Sequence, residues 1–364
     1  MEIIYTVVAA RLACRRHFSF QTVPIAKGFS RLEPCHSGNP VLTCRITHAR
    51  HLLSRWRIAL VRRVGVAVAL LATLLASAIV YADPVKFAIL HPDLDSAPGA
   101  VFQQVLSGIR RYPSASITTQ GFGETPDAAA LSKWANAQNP TSVILLGNQS
   151  LQLASQIAST TPIVVGGVLK PPAGMTGVSI LGEPAQFFAQ IKKLSPHTTT
   201  VSVIYSPDIN EWWIAAAAAA AKKLQLTLKP LPAADVVTSA RLYRDFLANA
   251  DAGRDALWIP LHDITPMKTV LPLILRESWS RNILVFSSNP LLVKQGVLFA
   301  MYPDNEAMGL QIAQLAGQAR TATASSVVYA SQLHTALNRR TAAHLGINVS
   351  EPMLQQFDRI YPVQ

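Results

Sequence analysis

The chain has 364 residues, 50% of them hydrophobic and 14% charged, which excludes a disordered chain and allows two modest cores. A net charge of +12 invites a nucleic-acid partner, but the charge is lopsided: residues 1–82 hold 11 Lys and Arg against 2 Asp and Glu, and residues 83–364 hold 21 against 18. The body therefore lacks the clustered basic face that binding phosphates requires, and no nucleic acid is expected as a partner.

The cysteines divide the same way. Cys14, Cys35 and Cys44 all lie upstream of residue 83. A body without thiols forms no disulfide and holds no thiolate-bound metal, so it tolerates an oxidising compartment.

Arg55, Arg57, Arg62 and Arg63 precede an uncharged run from Val64 to Val80. Val80-Tyr81-Ala82 then presents small residues at the −3 and −1 positions, before Asp83-Pro84. A basic stretch, an apolar stretch and small residues make a cleavable secretory signal over residues 61–82, cut after Ala82. The alternative is an uncleaved membrane anchor, because the run is near the ~17–20 residues a span needs. No Cys follows the run, so a lipid-attached form is not expected. A free exported protein needs an outer barrier to retain it, which points to a periplasm. Residues 1–60 are read as a disordered extension or a start assigned too early, with translation beginning near Val61.

From Asp83 onward, short apolar runs alternate with stretches of helical period. Val85–Leu90 reads as a strand and Ala100–Arg111 as a helix, with Val101, Val105 and Ile109 on its apolar face. Ser116–Thr119 is a weak strand, and Asp127–Ala137 a helix. Ser142–Leu146 is a strand followed by a helix over Ser150–Ala158. Pro162–Gly166 is a strand, Pro184–Leu194 a helix and Thr200–Tyr205 a strand. Glu211–Leu224 is a helix that contains the alanine run Ala215–Ala221, and Ala is the best helix former. Leu226–Pro230, Ala256–Pro260, Ile283–Phe286 and Val297–Tyr302 are strands. They alternate with helices at Ser239–Ala248, Val270–Trp279, Pro290–Gln295 and Glu306–Ala319. Val327–Val328 begins a short extended return, and a last helix covers Arg340–Leu345.

Such alternation gives parallel sheets covered by helices on both faces. The expected class is α/β, with two doubly wound parallel-sheet lobes joined by a hinge. Lobe 1 is assigned residues 83–199, completed by about 303–325. Lobe 2 is assigned 200–302, completed by about 326–364. The first crossover is expected near Pro196–Thr200.

The stretch from Ala256 to Leu310 ends in Tyr302-Pro303-Asp304-Asn305-Glu306-Ala307-Met308-Gly309. Together with Val143–Ser150, Val201–Pro207 and Leu337–Gly346, it resembles a family of ABC-transporter periplasmic substrate-binding proteins of the type I periplasmic-binding fold. The likeness covers residues 85–350. It implies a monomeric exported protein that captures a small molecule and delivers it to a separate membrane permease and ATPase. It also implies an amino-acid-like or aromatic solute. The chain departs from the family at Glu211-Trp212-Trp213 and at Leu261-His262-Asp263, so a relative's ligand does not carry over.

In parallel α/β sheets, ligands sit beyond the carboxyl ends of the strands, where helix N-termini offer free N–H groups. The expected ligand-binding residues of lobe 1 are His91, Gly147, Asn148, Gln149, Ser150, Gly166 and Gly167. Those of lobe 2 are Ser206, Trp212, His262, Asp263, Ser287, Ser288 and Asn289. Plain structural uses compete at several of them. Asn148 and Ser150 suit helix capping, and Ser287-Ser288-Asn289 before Pro290 suits a turn. Adjacent helix residues point about 100° apart, so only one of Trp212 and Trp213 is expected to face a cleft.

No cofactor, metal or catalytic residue is expected. The chain has no G-x-S-x-G, H-E-x-x-H or G-x-G-x-x-G after the first strand, and no spaced Cys/His set. Other readings remain: a sensing module that passes its bound state to a membrane receptor or kinase, an exported α/β enzyme, or an interaction protein with a degenerate cleft.

Overall fold

Buried strands of Val, Ile and Leu need cover on both faces, and the chain supplies it with helices. A computed structural model describes residues 85–95, 99–157, 161–261, 265, 267–319 and 325–362. The chain from Ala82 onward forms one compact unit that holds two sheets. The expectations for residues 1–60 and for the signal at 61–82 lie outside the described residues.

The first sheet contains β1 (Val85–Pro92), β2 (Ala115–Phe122), β3 (Ser142–Leu146), β4 (Ile163–Val168), β5 (Thr176–Gly182) and β11 (Val327–Ala330). Its order is β11-β5-β4-β3-β1-β2, and every pairing is parallel. The second contains β6 (Thr200–Tyr205), β7 (Thr227–Pro232), β8 (Asp255–Ile259), β9 (Leu284–Ser287), β10 (Phe299–Pro303), β12 (Leu333–Asn338) and β13 (Arg359–Tyr361). Its order is β13-β12-β10-β9-β8-β6-β7, with β12 antiparallel to β10 and the other pairings parallel. Both are the doubly wound α/β sheets expected from the alternation.

The helices are α1 (Gly99–Arg110), α2 (Ala128–Ala137), α3 (Pro184–Leu194), α4 (Pro207–Lys223), α5 (Val236–Asn249) and α6 (Met267–Ser280). They continue with α7 (Pro290–Gln295), α8 (Asn305–Gln318), α9 (Arg339–His344) and α10 (Glu351–Leu354). Several starts are set by side-chain caps: Asp127, Asp235, Asn289, Asp304 and Asn338 each accept a backbone N–H of the first turn.

The structure departs from the sequence pattern in four places. Asn148–Gln156 winds as a 3-10 helix rather than an α-helix over Ser150–Ala158. Val101 is 42% exposed, so the apolar face of α1 is carried by Val105, Leu106 and Ile109 instead. β5, with Gly177 and Gly182 inside it, and β12, with its polar residues, went unpredicted. Each forms because a neighbouring strand offers an edge: β4 for β5, and β10 for β12.

The first crossover is the fourth departure. α3 follows a strand of the first sheet but packs on the second. Phe187 lies 4.8 Å from Trp258 of β8, and Phe188 meets the same indole edge-on at 5.4 Å. The chain therefore leaves lobe 1 at Gly182–Pro184, not at Pro196–Thr200. It returns at Asp304, where β10 runs into α8, and leaves again between Ala330 and Leu333. Lobe 1 is thus β1–β5 with α8 and β11. Lobe 2 is α3–β10 with β12 and β13.

Trp258 is fully buried at the centre of lobe 2. Trp213 of α4 lies 4.5 Å from it and Phe286 of β9 stacks on it at 5.5 Å. In lobe 1 the tight point is between two helices. A Cβ on Gly108 of α1 would collide with the Glu306 carbonyl of α8, and one on Gly309 of α8 with the Val105 carbonyl of α1. The two glycines let the returning helix sit directly on α1.

Two stability measurements follow by denaturant unfolding. Trp258→Ala empties the lobe 2 core and should cost about 3–5 kcal/mol. Gly309→Ala should cost about 1–3 kcal/mol by forcing α1 and α8 apart, although Ala is the better helix former.

Candidate functional site

Each chain crossing begins at the carboxyl end of a strand. β5 of lobe 1 ends at Gly182, β10 of lobe 2 at Pro303 and β11 of lobe 1 at Ala330. The strands that run parallel to these share that edge with their carboxyl ends, all of lobe 1 and β6–β10 of lobe 2, while β12 and β13 run the other way. These edges therefore meet at the crossings, where the chain passes from one lobe to the other.

On the lobe 1 side, β1 ends in His91-Pro92. His91 is 5% exposed, and its Nδ1 donates to the Pro92 carbonyl at 2.8 Å. A carbonyl only accepts, so the neutral ring carries its proton on Nδ1 and leaves Nε2 as an acceptor. Gly147 follows β3 with φ 79°, and Gly167 follows Gly166 with φ 67°. Both angles favour glycine. The Gly147 N–H donates to the Gly166 carbonyl at 2.9 Å, which ties the turn after β3 to β4, where Gly167 forms a bulge in the pairing with β5.

Phe102 of α1 packs over the Gly147 turn and the Gly167 bulge of β4. A Cβ on Gly147 would come within 2.9 Å of its ring, and one on Gly167 within 3.4 Å. Sequence reading missed Phe102, because a lone aromatic at helical spacing looks like core. Gly166 has a different reason to be glycine: a Cβ there would strike Ile312 of α8.

Ser150 is buried, and its hydroxyl donates to the Gly147 carbonyl at 2.7 Å. It shapes the turn. Asn148 and Gln149 are exposed, and Asn148 Oδ1 accepts from the Leu169 N–H at 3.4 Å.

On the lobe 2 side, Ser206 follows β6. It is 5% exposed, and its side chain makes no capping bond to α4. Asn210 does the holding there. It is fully buried, its Oδ1 accepts the Ser206 N–H at 3.3 Å, and its Nδ2 donates to the Leu261 carbonyl at 3.1 Å. One side chain thus joins the loops after β6 and β8. Sequence reading passed over it as an ordinary helix residue. His262 and Asp263 lie outside the described residues.

Ser287, Ser288 and Asn289 all have internal partners. Ser287 Oγ donates to the Ile259 carbonyl at 2.8 Å, Ser288 Oγ accepts from Trp258 Nε1 at 3.3 Å, and Asn289 caps α7. These are turn and cap duties.

Glu211, Trp212 and Trp213 take three separate directions, as helical geometry requires. Glu211 accepts the Tyr205 hydroxyl at 2.7 Å. Burial first, and then the hydrogen bond and charge of Glu211, push that hydroxyl up to about 12. Tyr205 is therefore a neutral donor at physiological pH. Trp212 stacks on Tyr329 of β11, with ring centres 5.2 Å apart and planes 10° apart. Trp213 is in the core, and its Nε1 donates to the Gly182 carbonyl at 2.9 Å, the last residue of β5.

The last two contacts cross between lobes, and so does a third. Lys170, after β4, donates from Nζ to the Asp208 carbonyl in the first turn of α4 at 2.7 Å. The facing edges of the two lobes thus carry glycines, buried and exposed polar groups, the aromatic side chains of Phe102, Tyr205 and Trp212, and the charged side chains of Lys170, Asp208 and Glu211. Among the described residues, no group of three His, Cys, Asp or Glu side chains is placed to hold a metal ion. None of the described helices is long and apolar enough to cross a membrane.

A family model described as ABC transporter substrate binding protein matches residues 122–360. A search of curated proteins finds no match. Among solved structures, a substrate binding protein with adhesive properties from Clostridium difficile, in its ligand-free, open form, is 14% identical. The alignment has a TM-score of 0.54 and covers 76% of this chain and 98% of that one. An ABC domain in complex with L-Trp from Streptococcus pneumonia is 19% identical, with a TM-score of 0.49, over 76% of this chain and 100% of that one. A periplasmic ribose ABC transporter protein from Conexibacter woesei is 11% identical, with a TM-score of 0.46, over 72% and 95%. At such identities a structural likeness speaks for the fold alone. The family rests on the match over residues 122–360, and by that match the chain belongs to the ABC transporter substrate binding protein family.

Proposed function

We propose that the protein captures a small molecule between its lobes in the periplasm and hands it to a membrane permease driven by a separate ATPase. One observation carries this reading: the carboxyl edges of both sheets face one another across three chain crossings. Each edge offers backbone N–H groups and polar side chains that a molecule between the lobes contacts from both sides. The role is capture without turnover, by a monomer. Export by the segment around residues 61–82 brings it to that compartment.

The candidate ligand-binding residues are His91, Gly147, Asn148, Gln149 and Gly167 from lobe 1. Ser206 leads those of lobe 2, together with His262 and Asp263. Phe102 and Tyr205 join them as walls. A ligand that touches both lobes favours the closed arrangement by its difference in affinity between the two states. Polar groups and aromatic side chains at both edges suit an amino-acid-like or aromatic molecule.

Mass spectrometry of the protein after gentle purification should identify a retained solute. Added back at 100 times its Kd, that solute should stabilise the protein by about 2.7 kcal/mol. Gly147→Val clashes with Phe102 and strains a positive φ, so it should abolish the shift while leaving far-UV circular dichroism unchanged. Conversion of the solute to a product would contradict the reading.

Lys170→Ala removes one contact between lobes and spares the lobe interiors. Losing about 1 kcal/mol of closed-state stabilisation should weaken binding about fivefold, mainly through faster release. Stopped-flow dissociation of the same solute measures it.

A further inference from the structure

Lobe 2 has a cavity of about 850 Å³ far from the interlobe gap. Its lining includes Ile283, which precedes β9, Gly296, which precedes β10, and Asn338, which ends antiparallel β12. It therefore lies at the amino edge of the sheet, opposite the edge that faces lobe 1. The volume is that of a small-molecule site.

Its chemistry is one-sided. Three cations line it, Arg276, Lys294 and Arg340, and no carboxylate does. Arg276 is paired with Glu277 at 3.0 Å. Lys294 and Arg340 are exposed and enter no ion pair among the described residues. The ends of α6 and α7 draw cations to this region through their free carbonyls. That does not account for cations gathered round an apolar hollow with an aromatic wall. Trp279 supplies the wall and stays 40% exposed. Its indole is held flat by His344, with ring centres 3.6 Å and planes 8° apart, while His344 Nε2 bonds to the Trp279 carbonyl at 2.8 Å. The neutral polar groups are already spent inward: Asn338 Nδ2 on the Val293 carbonyl and Thr341 Oγ1 on the Gly296 carbonyl.

We propose that this cavity is a second ligand site, for a planar organic anion that lies against Trp279 and sets its charge between Lys294 and Arg340. The site is built by α6, α7, α9 and the end of β13, so an occupant fastens the C-terminal strands of lobe 2 to the body of its sheet.

The test titrates the full-length protein with 2-naphthoate and with the neutral 2-naphthalenemethanol, by equilibrium dialysis. Naphthoate should bind saturably at one site, about tenfold more tightly than the alcohol. The double variant Lys294→Ala, Arg340→Ala should lose about tenfold or more of the naphthoate affinity and keep its affinity for the solute of the interlobe gap. Arg340→Lys, which keeps the charge, should retain most of the naphthoate binding. Gly147→Val should leave naphthoate binding unchanged. Equal affinity for acid and alcohol, an unaltered affinity in the double variant, or loss of naphthoate binding in Gly147→Val would overturn the proposal. The last result would locate the probe in the gap.

Discussion

A parallel strand ends with its carbonyls and the next helix's N–H groups at one edge of its sheet, and that edge cannot be filled by the sheet itself. Everything else in this protein follows from where the two such edges lie. The chain crosses between lobes only from carboxyl ends: Gly182 of β5, Pro303 of β10 and Ala330 of β11. That topology turns the two reactive edges toward each other. In the binding mode proposed above, a solute between them meets Gly147 and Gly167 from one lobe and Ser206 from the other.

Each lobe has its own dense core, and Leu181 of β5 reaches from lobe 1 into the core of lobe 2. Trp258, Trp213, Phe187, Phe188 and Phe286 pack together in lobe 2, while Phe87, Ile89, Val105, Ile109 and Ile312 pack together in lobe 1. The contacts between lobes are fewer and more local: Trp213 on the Gly182 carbonyl, Trp212 on Tyr329, Lys170 on the Asp208 carbonyl. A dense core resists deformation more than a small set of local contacts does. Relative movement of two stiff bodies about the crossings is the low-energy motion of such an arrangement, and occupancy of the gap biases it.

Much of the architecture was readable beforehand, because it rests on local pattern. Ser142–Leu146, Thr200–Tyr205, Pro184–Leu194 and Pro290–Gln295 have the expected bounds. Glycine in the Asp304–Gly309 segment proved to be a packing requirement between α1 and α8. The unread parts depend on partners distant in sequence. β5 and β12 are strands because β4 and β10 offer edges, and α3 belongs to lobe 2 because Trp258 waits there for Phe187. The site was half legible for the same reason. The turn at Gly147 and the Gly166-Gly167 pair announce themselves by composition. Phe102 and Asn210 do not, since only the fold brings one over Gly147 and Gly167 and the other between the loops after β6 and β8.

The central claim is movement of two bodies about a filled gap. The most direct measurement is the distance between spin labels on exposed Lys133 of α2 and exposed Arg244 of α5, one in each lobe. The labels are best attached in a background without Cys14, Cys35 and Cys44. The account predicts a broad or two-peaked distribution in the empty protein that narrows to a shorter distance once the retained solute is added back. An identical distribution with and without bound solute would contradict it.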